Sequence, residues 1–198
     1  MCTLGIKKMD PHMNFDKTKS FWIGDSLDYY IIPKNGCSSV RHMMLQTIDD
    51  IPDLNDHYDS GYSIINFKTK LFRYYKPVRS GVIKFVVKRD PVDRFISAYS
   101  DIVLFRKKEN QTVEEVLQGN YKDKHFNTQT YFAGSADMYD YVFDITEMNK
   151  VAELISDSTN INIRIQHIRK TKNKIRLHHS QVKLVEEFYK EDYENGWY

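Results

Sequence analysis

Cysteine is almost missing from this 198-residue chain, which holds only Cys2 and Cys37. Two thiols build neither a disulfide framework nor a zinc cluster. The chain therefore reads as made for a reducing compartment, or as indifferent to redox state, and no metal is expected. Long apolar runs are missing as well: no stretch reaches the 18 residues that a membrane-spanning helix needs. Met1–Lys19 lacks the apolar segment of a secretory signal, so a cytoplasmic location is the expectation. Charge of one sign is not in excess either, with 29 basic against 27 acidic residues and a formal net charge of +2. A general nucleic-acid binder would carry a stronger basic balance, so nucleic acid is not the expected partner. A local basic pocket for a small anion remains compatible with this charge. No segment repeats at a period of 20–50 residues, and none is of low complexity.

What is present suits one globular domain. The chain is long enough to bury a core without staples. Hydrophobic residues make up 41% and charged residues 28%, an ordinary soluble composition that argues against wholesale disorder. Residues 1–20 are polar and mixed and read as a loose, flexible arm, leaving 21–198 as a single domain. Leu27 to Ile32 reads as a buried strand stopped by Pro33. Ser38 or Ser39 then caps a helix that carries Val40, Met43, Met44, Thr47 and Ile48 at helical spacing. Residues 49–61 are rich in Asp, Asn, Gly and Pro and form a loop; 62–76 read as a strand and a short helix. Val82–Val87 is the second clear strand. Asp90 is a natural N-cap and Pro91 a natural first helical residue. Val92, Phe95, Ile96, Tyr99, Ile102 and Val103 line the apolar face of that helix. A short helix over 112–118, a strand over 139–145, a helix over 149–157, a strand over 161–165, a basic loop over 166–179 and a helix over 180–193 complete the pass. Strands alternating with helices predict an α/β fold, a P-loop-like three-layer domain with a central, mainly parallel sheet flanked by helices. In such sheets ligands bind beyond the carboxyl ends of the strands.

Two strand-loop-helix junctions lie at such ends. The first is Pro33-Lys34-Asn35-Gly36-Cys37-Ser38-Ser39. A glycine lets backbone N–H groups converge, and the following helix adds a positive dipole end. Lys34 supplies a mobile cation, and the two serines supply hydroxyl donors. Together they make a phosphate cradle, although not the usual G-x-x-x-x-G-K-[ST] loop, since here the lysine precedes the glycine. The second junction runs from Arg89-Asp90-Pro91 to Tyr99. Arg94, Ser97 and Asp101 share one helical face, opposite the apolar stripe. An arginine fork with a hydroxyl suits a terminal phosphate. Alone, the first junction also reads as a capped turn and the second as an ordinary amphipathic helix. Two anion cradles at neighbouring strand ends suggest a ligand with two separated phosphate groups.

These residues resemble a family. Tyr30-Ile-Ile-Pro-Lys-Asn-Gly-Cys-Ser-Ser-Val40 is similar to the 5′-phosphosulfate loop of the PAPS-dependent sulfotransferases, especially the carbohydrate-modifying group. Phe85-Val-Val-Lys-Arg-Asp-Pro-Val-Asp-Arg-Phe-Ile-Ser-Ala-Tyr99 is similar to that family's 3′-phosphate motif, in the same order and at the same spacing. His125-Phe-Asn-Thr-Gln129, Tyr141–Glu147 and Phe188–Tyr193 are weaker echoes, so the likeness covers about 27–198. The resemblance implies transfer of a sulfuryl group from PAPS to an acceptor hydroxyl, releasing PAP, with no metal. Lys34 would contact the phosphosulfate and stabilise charge on the leaving oxygen. Asn35, Gly36, Cys37, Ser38 and Ser39 would form the 5′-phosphate loop, with Cys37 a packing residue rather than a nucleophile. Arg89 and Ser97 would hold the 3′-phosphate, with Arg94 in support or in contact. The family's base is His or Glu. His57 is the first candidate, with Asp56 beside it, and His125 the second. Lys170 and Lys172, in the basic stretch Arg169–Lys174, read either as a solvated loop or as a flap over the nucleotide. Tyr74, Tyr75, Tyr131 and Phe132 are available to stack on a sugar, with core packing as the simpler role. The acceptor partner is expected to be a glycan or another small hydroxyl compound.

Two other readings compete. A P-loop-type nucleotide or small-molecule kinase would share the fold and the anion loops. It would need a magnesium-binding Asp and the usual lysine position. A non-catalytic nucleotide- or nucleic-acid-binding module would rest on the basic stretch at 169–174, against the near-neutral total charge.

Overall fold

Strand alternation explains how both faces of the sheet are covered. Successive side chains of a strand face opposite ways. Leu27, Tyr29 and Ile31 accordingly enter one core cluster, whereas Tyr30 and Ile32 enter another. A strand buried on both faces reads as a continuous apolar run, and Leu27 to Ile32 does so except at Asp28, which is itself buried. Among the described residues of the computed structural model, four strands form one sheet in the order β1-β2-β3-β4. The structure describes residues 20–23, 26–47, 81–107, 110–119, 121–165 and 174–198. The expected arm up to residue 19, the loop at 49–61, the stretch at 62–76 and most of 166–179 lie outside these residues.

Strands β2 (Leu27–Tyr30), β3 (Ile83–Lys88) and β4 (Tyr141–Asp144) are parallel, with Tyr29 opposite Phe85 and Phe85 opposite Tyr141. The architecture is the expected α/β fold with a parallel sheet and flanking helices. Strand β1 (Ser20–Ile23) was not expected; it pairs antiparallel with β2 at the edge. Helices α1 (Cys37–Leu45) and α5 (Met148–Thr159) cover one face, where Val40, Met43, Met44, Val151 and Ile155 meet Leu27, Tyr29, Phe85 and Phe143. Ala133 of α4 (Gln129–Ala133) and Trp197 cover Tyr30, Ile32 and Val86 on the other. A third cluster joins α2 (Pro91–Tyr99), α3 (Val113–Leu117) and α6 (His179–Phe188) through Phe95, Tyr99, Val113, Val116, Val185 and Tyr189. Full burial of such side chains contributes roughly 1.5–3 kcal/mol each. Among the described residues no helix is long and apolar enough to cross a membrane.

Several boundaries differ from expectation, each for a physical reason. Neither Ser38 nor Ser39 caps α1. The N-cap is Gly36, in the left-handed region at φ 74°, and no side chain caps it. The segment 161–165 is not a strand. The Gln46 amide takes the place of a neighbouring strand there: Nε2 donates to the Arg164 carbonyl at 2.8 Å and Oε1 accepts from the Arg164 N–H at 2.8 Å. The closing helix is broken at Tyr189 into α6 and α7 (Lys190–Glu194). Helix α2 begins as expected, with the Asp90 carboxylate accepting from the Asp93 N–H at 2.9 Å and Pro91 at its first position. It runs on without a break into a π-helical segment, Ser100–Lys107.

Candidate active site

The two junctions follow β2 and β3, which are adjacent and parallel, so both open at the same edge of the sheet. At the first, the chain turns through two left-handed residues, Lys34 at φ 72° and Gly36 at φ 74°. A Cβ on Gly36 would sit 2.1 Å from Met148 Cε, so the turn packs directly on the start of α5. The Gly36 carbonyl accepts from the N–H groups of Ser39 and Val40 at 2.9 and 3.1 Å. Among the described residues, the N–H groups of Gly36, Cys37 and Ser38 donate to no backbone carbonyl. A helix N-terminus in that condition attracts anions through its free N–H groups and its dipole. Cys37 packs against the core beneath the turn.

The second junction is tied to the first by its arginines. Arg89 Nη1 donates to the Lys34 carbonyl at 3.0 Å. Its Nε is buried with no hydrogen-bond partner, an orphaned donor on a guanidinium that is only 9% exposed. Arg94 is fully buried. Its Nε donates to the Pro33 carbonyl at 3.1 Å and its Nη2 to the His125 carbonyl at 3.3 Å. It also lies 5.7 Å from the ring centres of both Phe132 and Tyr189. Burial weakens the hold of both arginines on their protons, Arg89 with Asp93 opposing and Arg94 with Tyr189 opposing. Arg94 thus holds two loops at fixed spacing. Arg89 reaches the loop with one arm and keeps a donor in reserve. Ser97, on the same helix, is buried.

Gln129 joins the two junctions, and sequence reasoning saw it only as part of a weak echo. It is fully buried. Its Oε1 accepts from Asn35 Nδ2 at 2.6 Å and from the Arg89 N–H at 3.1 Å. Its Nε2 donates to the Arg89 carbonyl at 2.9 Å. Asn35 Nδ2 also reaches the Val87 carbonyl at 2.8 Å, so the side chain faces inward, and the whole residue is buried. Gln129 is itself held by Asp192, which accepts from the N–H groups of Gln129 and Thr130 at 2.9 and 2.8 Å. Two positions 94 residues apart in sequence, Asn35 and Gln129, are thereby bonded directly. No local pattern announces such a bond.

Titratable groups gather at the mouth. The Lys34 ammonium pairs with the Asp101 carboxylate. Arg106 donates to the same carboxylate, Nε to Oδ1 at 3.1 Å and Nη2 to Oδ2 at 2.7 Å. His125 Nδ1 lies 2.6 Å from Asp123 Oδ1. Burial lowers the His125 pKa below the imidazole value of 6.5, Asp123 opposes that fall, and the charges of Lys34 and Arg106 add to it. His125 therefore stands neutral near pH 7, oriented by a carboxylate, with Nε2 as its second ring nitrogen. Lys34 is likewise lowered, first by burial, against Asp101. Of the other expected site residues, His57, Asp56, Lys170, Lys172, Tyr74 and Tyr75 lie outside the described residues. Tyr131 is exposed and half-buried Phe132 lies against Arg94. Among the described residues no three His, Cys, Asp or Glu side chains converge as a metal cluster.

Together these residues bring the cations of Lys34, Arg89 and Arg94 to two adjacent junctions tied through the Lys34 carbonyl, with a neutral histidine close enough to feel the charge of Lys34. A family model described as the sulfotransferase family matches residues 24–195. No curated protein and no solved structure matches the chain.

Proposed function

The chain belongs to the sulfotransferase family, and from that premise we propose that it moves a sulfuryl group from PAPS to a hydroxyl of a carbohydrate, releasing PAP. One observation carries the reading. Two anion cradles follow adjacent parallel strands, and Arg89 links them through the Lys34 carbonyl. PAPS bears a 3′-phosphate and a 5′-phosphosulfate on one nucleoside, which is the charge pattern such a pair accepts. The residues fit it: the unpaired N–H groups after Gly36 suit the 5′-phosphate, and the orphaned Arg89 Nε suits the 3′-phosphate.

When bound, PAPS supplies the sulfuryl group and a phosphate leaving group. Reactions of this kind depend on positioning and charge stabilisation, as phosphoryl transfer does. The backbone of Gly36, Cys37 and Ser38 holds the 5′-phosphate, with Ser39 closing the loop. Lys34 places its ammonium where negative charge grows on the leaving oxygen. Arg89 and Ser97 grip the 3′-phosphate, while Arg94 fixes the segments that carry Lys34 and His125. His125 takes the acceptor proton on Nε2 as general base, with Asp123 holding Nδ1–H. Its neutral state, and its place among the charges of Lys34 and Arg106, favour it for that role.

The test is transfer of label from ³⁵S-PAPS to a panel of neutral and acidic oligosaccharides, a simple phenol and a tyrosyl peptide. Label is expected on an oligosaccharide hydroxyl. Lys34→Ala is expected to lower the rate about 10²–10³-fold, the cost of losing one charge-stabilising donor. Label on the phenol or peptide alone would overturn the carbohydrate acceptor. An unchanged rate in Lys34→Ala would overturn the role given to the loop.

A further inference from the structure

The carboxylate beside Lys34 has no role in the steps above. Asp101 lies one residue inside the π-helical segment Ser100–Lys107. Its two oxygens meet three cationic nitrogens: Nζ of Lys34, and Nε and Nη2 of Arg106. The Arg106 pair depends on the local winding. On an α-helix the facing neighbours are three and four residues apart. Asp101 and Arg106 are five apart, and the i→i+5 winding of a π-helix brings that spacing into line. Straightening the segment into an α-helix would turn Arg106 away. Lys34, for its part, departs from the left-handed backbone at φ 72°, a conformation a lysine adopts only when its surroundings hold it there.

We propose that Asp101 is a positioning residue for the transfer reaction. It holds the Lys34 ammonium at the mouth of the 33–39 loop, and is itself fixed by Arg106 through the π-helical turn. This rests on the sulfotransferase reading. The same pairing keeps the lysine charged. Burial pulls the Lys34 proton affinity down, and Asp101 pushes it back up. Arg106 opposes and Cys37 supports the charged form, while His125 stands close enough to feel the lysine's charge. Asp101 is the group in this set that both touches the ammonium and carries negative charge. The Asp101 carboxyl is correspondingly held below its ordinary range, with Lys34 and Arg106 outweighing its burial. A mobile, partly neutral lysine would stabilise less of the charge that grows on the leaving oxygen. That oxygen stays on PAP as a 5′-phosphate oxygen, so a loosened Lys34 also holds PAP less well, while loss of the Asp101 negative charge acts the other way.

The experiment compares wild type with Asp101→Asn, Asp101→Glu and Arg106→Gln. Three readouts are used: PAP affinity by calorimetry, the Lys34 ammonium pKa by proton–nitrogen NMR (assigned by its loss in Lys34→Arg), and the pH profile of ³⁵S-PAPS turnover. In Asp101→Asn, PAP affinity should change far less than turnover, because a loosened Lys34 and the loss of a negative charge beside the 5′-phosphate act in opposite directions. Turnover should fall about tenfold to hundredfold, the scale of a misplaced catalytic group. The Lys34 pKa and the alkaline limb of turnover should move together to lower pH. Asp101→Glu should recover part of the rate. Arg106→Gln should show a smaller loss of turnover without the fall in Lys34 pKa, since Arg106 opposes the charged form. An unchanged Lys34 pKa and turnover in Asp101→Asn, in a sample that binds PAP, would overturn the proposal. If wild type does not bind PAP, the sulfotransferase reading fails, and the NMR comparison still decides whether Asp101 holds Lys34. Loss of PAP binding in a folded Asp101→Asn would show a structural role and overturn the proposal too.

Discussion

With His125 as the proposed base, it and Asp123 are expected to set the pH behaviour at the scale of single residues. A base acts only when unprotonated, so activity is lost as pH falls through the His125 pKa. Burial depresses that pKa below 6.5, and Asp123 partly restores it. The acid limb of turnover should therefore lie below pH 6.5. Asp123→Asn removes the group that raises the pKa, so the limb should move further toward acid, with a lower rate on the plateau. His125→Ala should lower the plateau about 10²–10⁴-fold, the usual worth of general-base catalysis. A pH profile on the three proteins checks both. Turnover of His125→Ala equal to wild type would return the role to another group, His57 first. Arg94 makes a different demand. Its Nε and Nη2 are given to the Pro33 and His125 carbonyls, with Nη1 buried and without a hydrogen-bond partner, so its loss should weaken folding and the site together.

At the scale of elements, the site is held by bonds between segments rather than within them. Gln129, at the start of α4, serves the backbone of Arg89 and the amide of Asn35 at once. Gln129→Leu leaves the buried Arg89 N–H and carbonyl without these partners and leaves Asn35 Nδ2 with the Val87 carbonyl alone, and each unpaired group costs about 1–3 kcal/mol. A loss on the order of 3 kcal/mol is expected, read as a lowered urea midpoint with an unchanged slope. A loss below about 0.5 kcal/mol would mean that the bridge does not carry the junctions, since this is the range of ordinary surface changes. The turn before α1 is similarly committed. Gly36→Ala meets Met148 Cε at 2.1 Å and a left-handed φ of 74°. Strain at such a position costs about 1–2 kcal/mol before the methionine has moved. Thermal unfolding should show that loss, and PAP should bind at least about tenfold more weakly, because the N–H groups of the turn are displaced.

Across the whole molecule, what the sequence made legible was local. The alternation from Leu27 to Ile32, the apolar run from Val82 to Val87 and the Asp90-Pro91 start of α2 are written in neighbouring residues, and each stands where it was expected. The strand-loop-helix order of the two junctions was legible for the same reason, since each is one short segment. Edge strand β1 was missed, because its place is set by pairing with β2 rather than by its own pattern. Residues 161–165 carry a strand-like pattern, yet Gln46 satisfies the Arg164 backbone from a distance of 118 residues. The partners of Lys34 and Asn35 lie 67 and 94 residues away, so the bonds that hold the site were invisible until the chain was folded. The central claim is that the two cradles take the two ends of one nucleotide. Calorimetric titration with PAP, beside ATP with magnesium, tests it on wild type and on Arg89→Ala. The account predicts micromolar PAP binding, weak ATP binding, and a loss in Arg89→Ala of about 1.5–3 kcal/mol, the worth of a hydrogen bond to a charged group. A folded wild-type sample that ignores PAP, or binds ATP with magnesium more tightly, would contradict it.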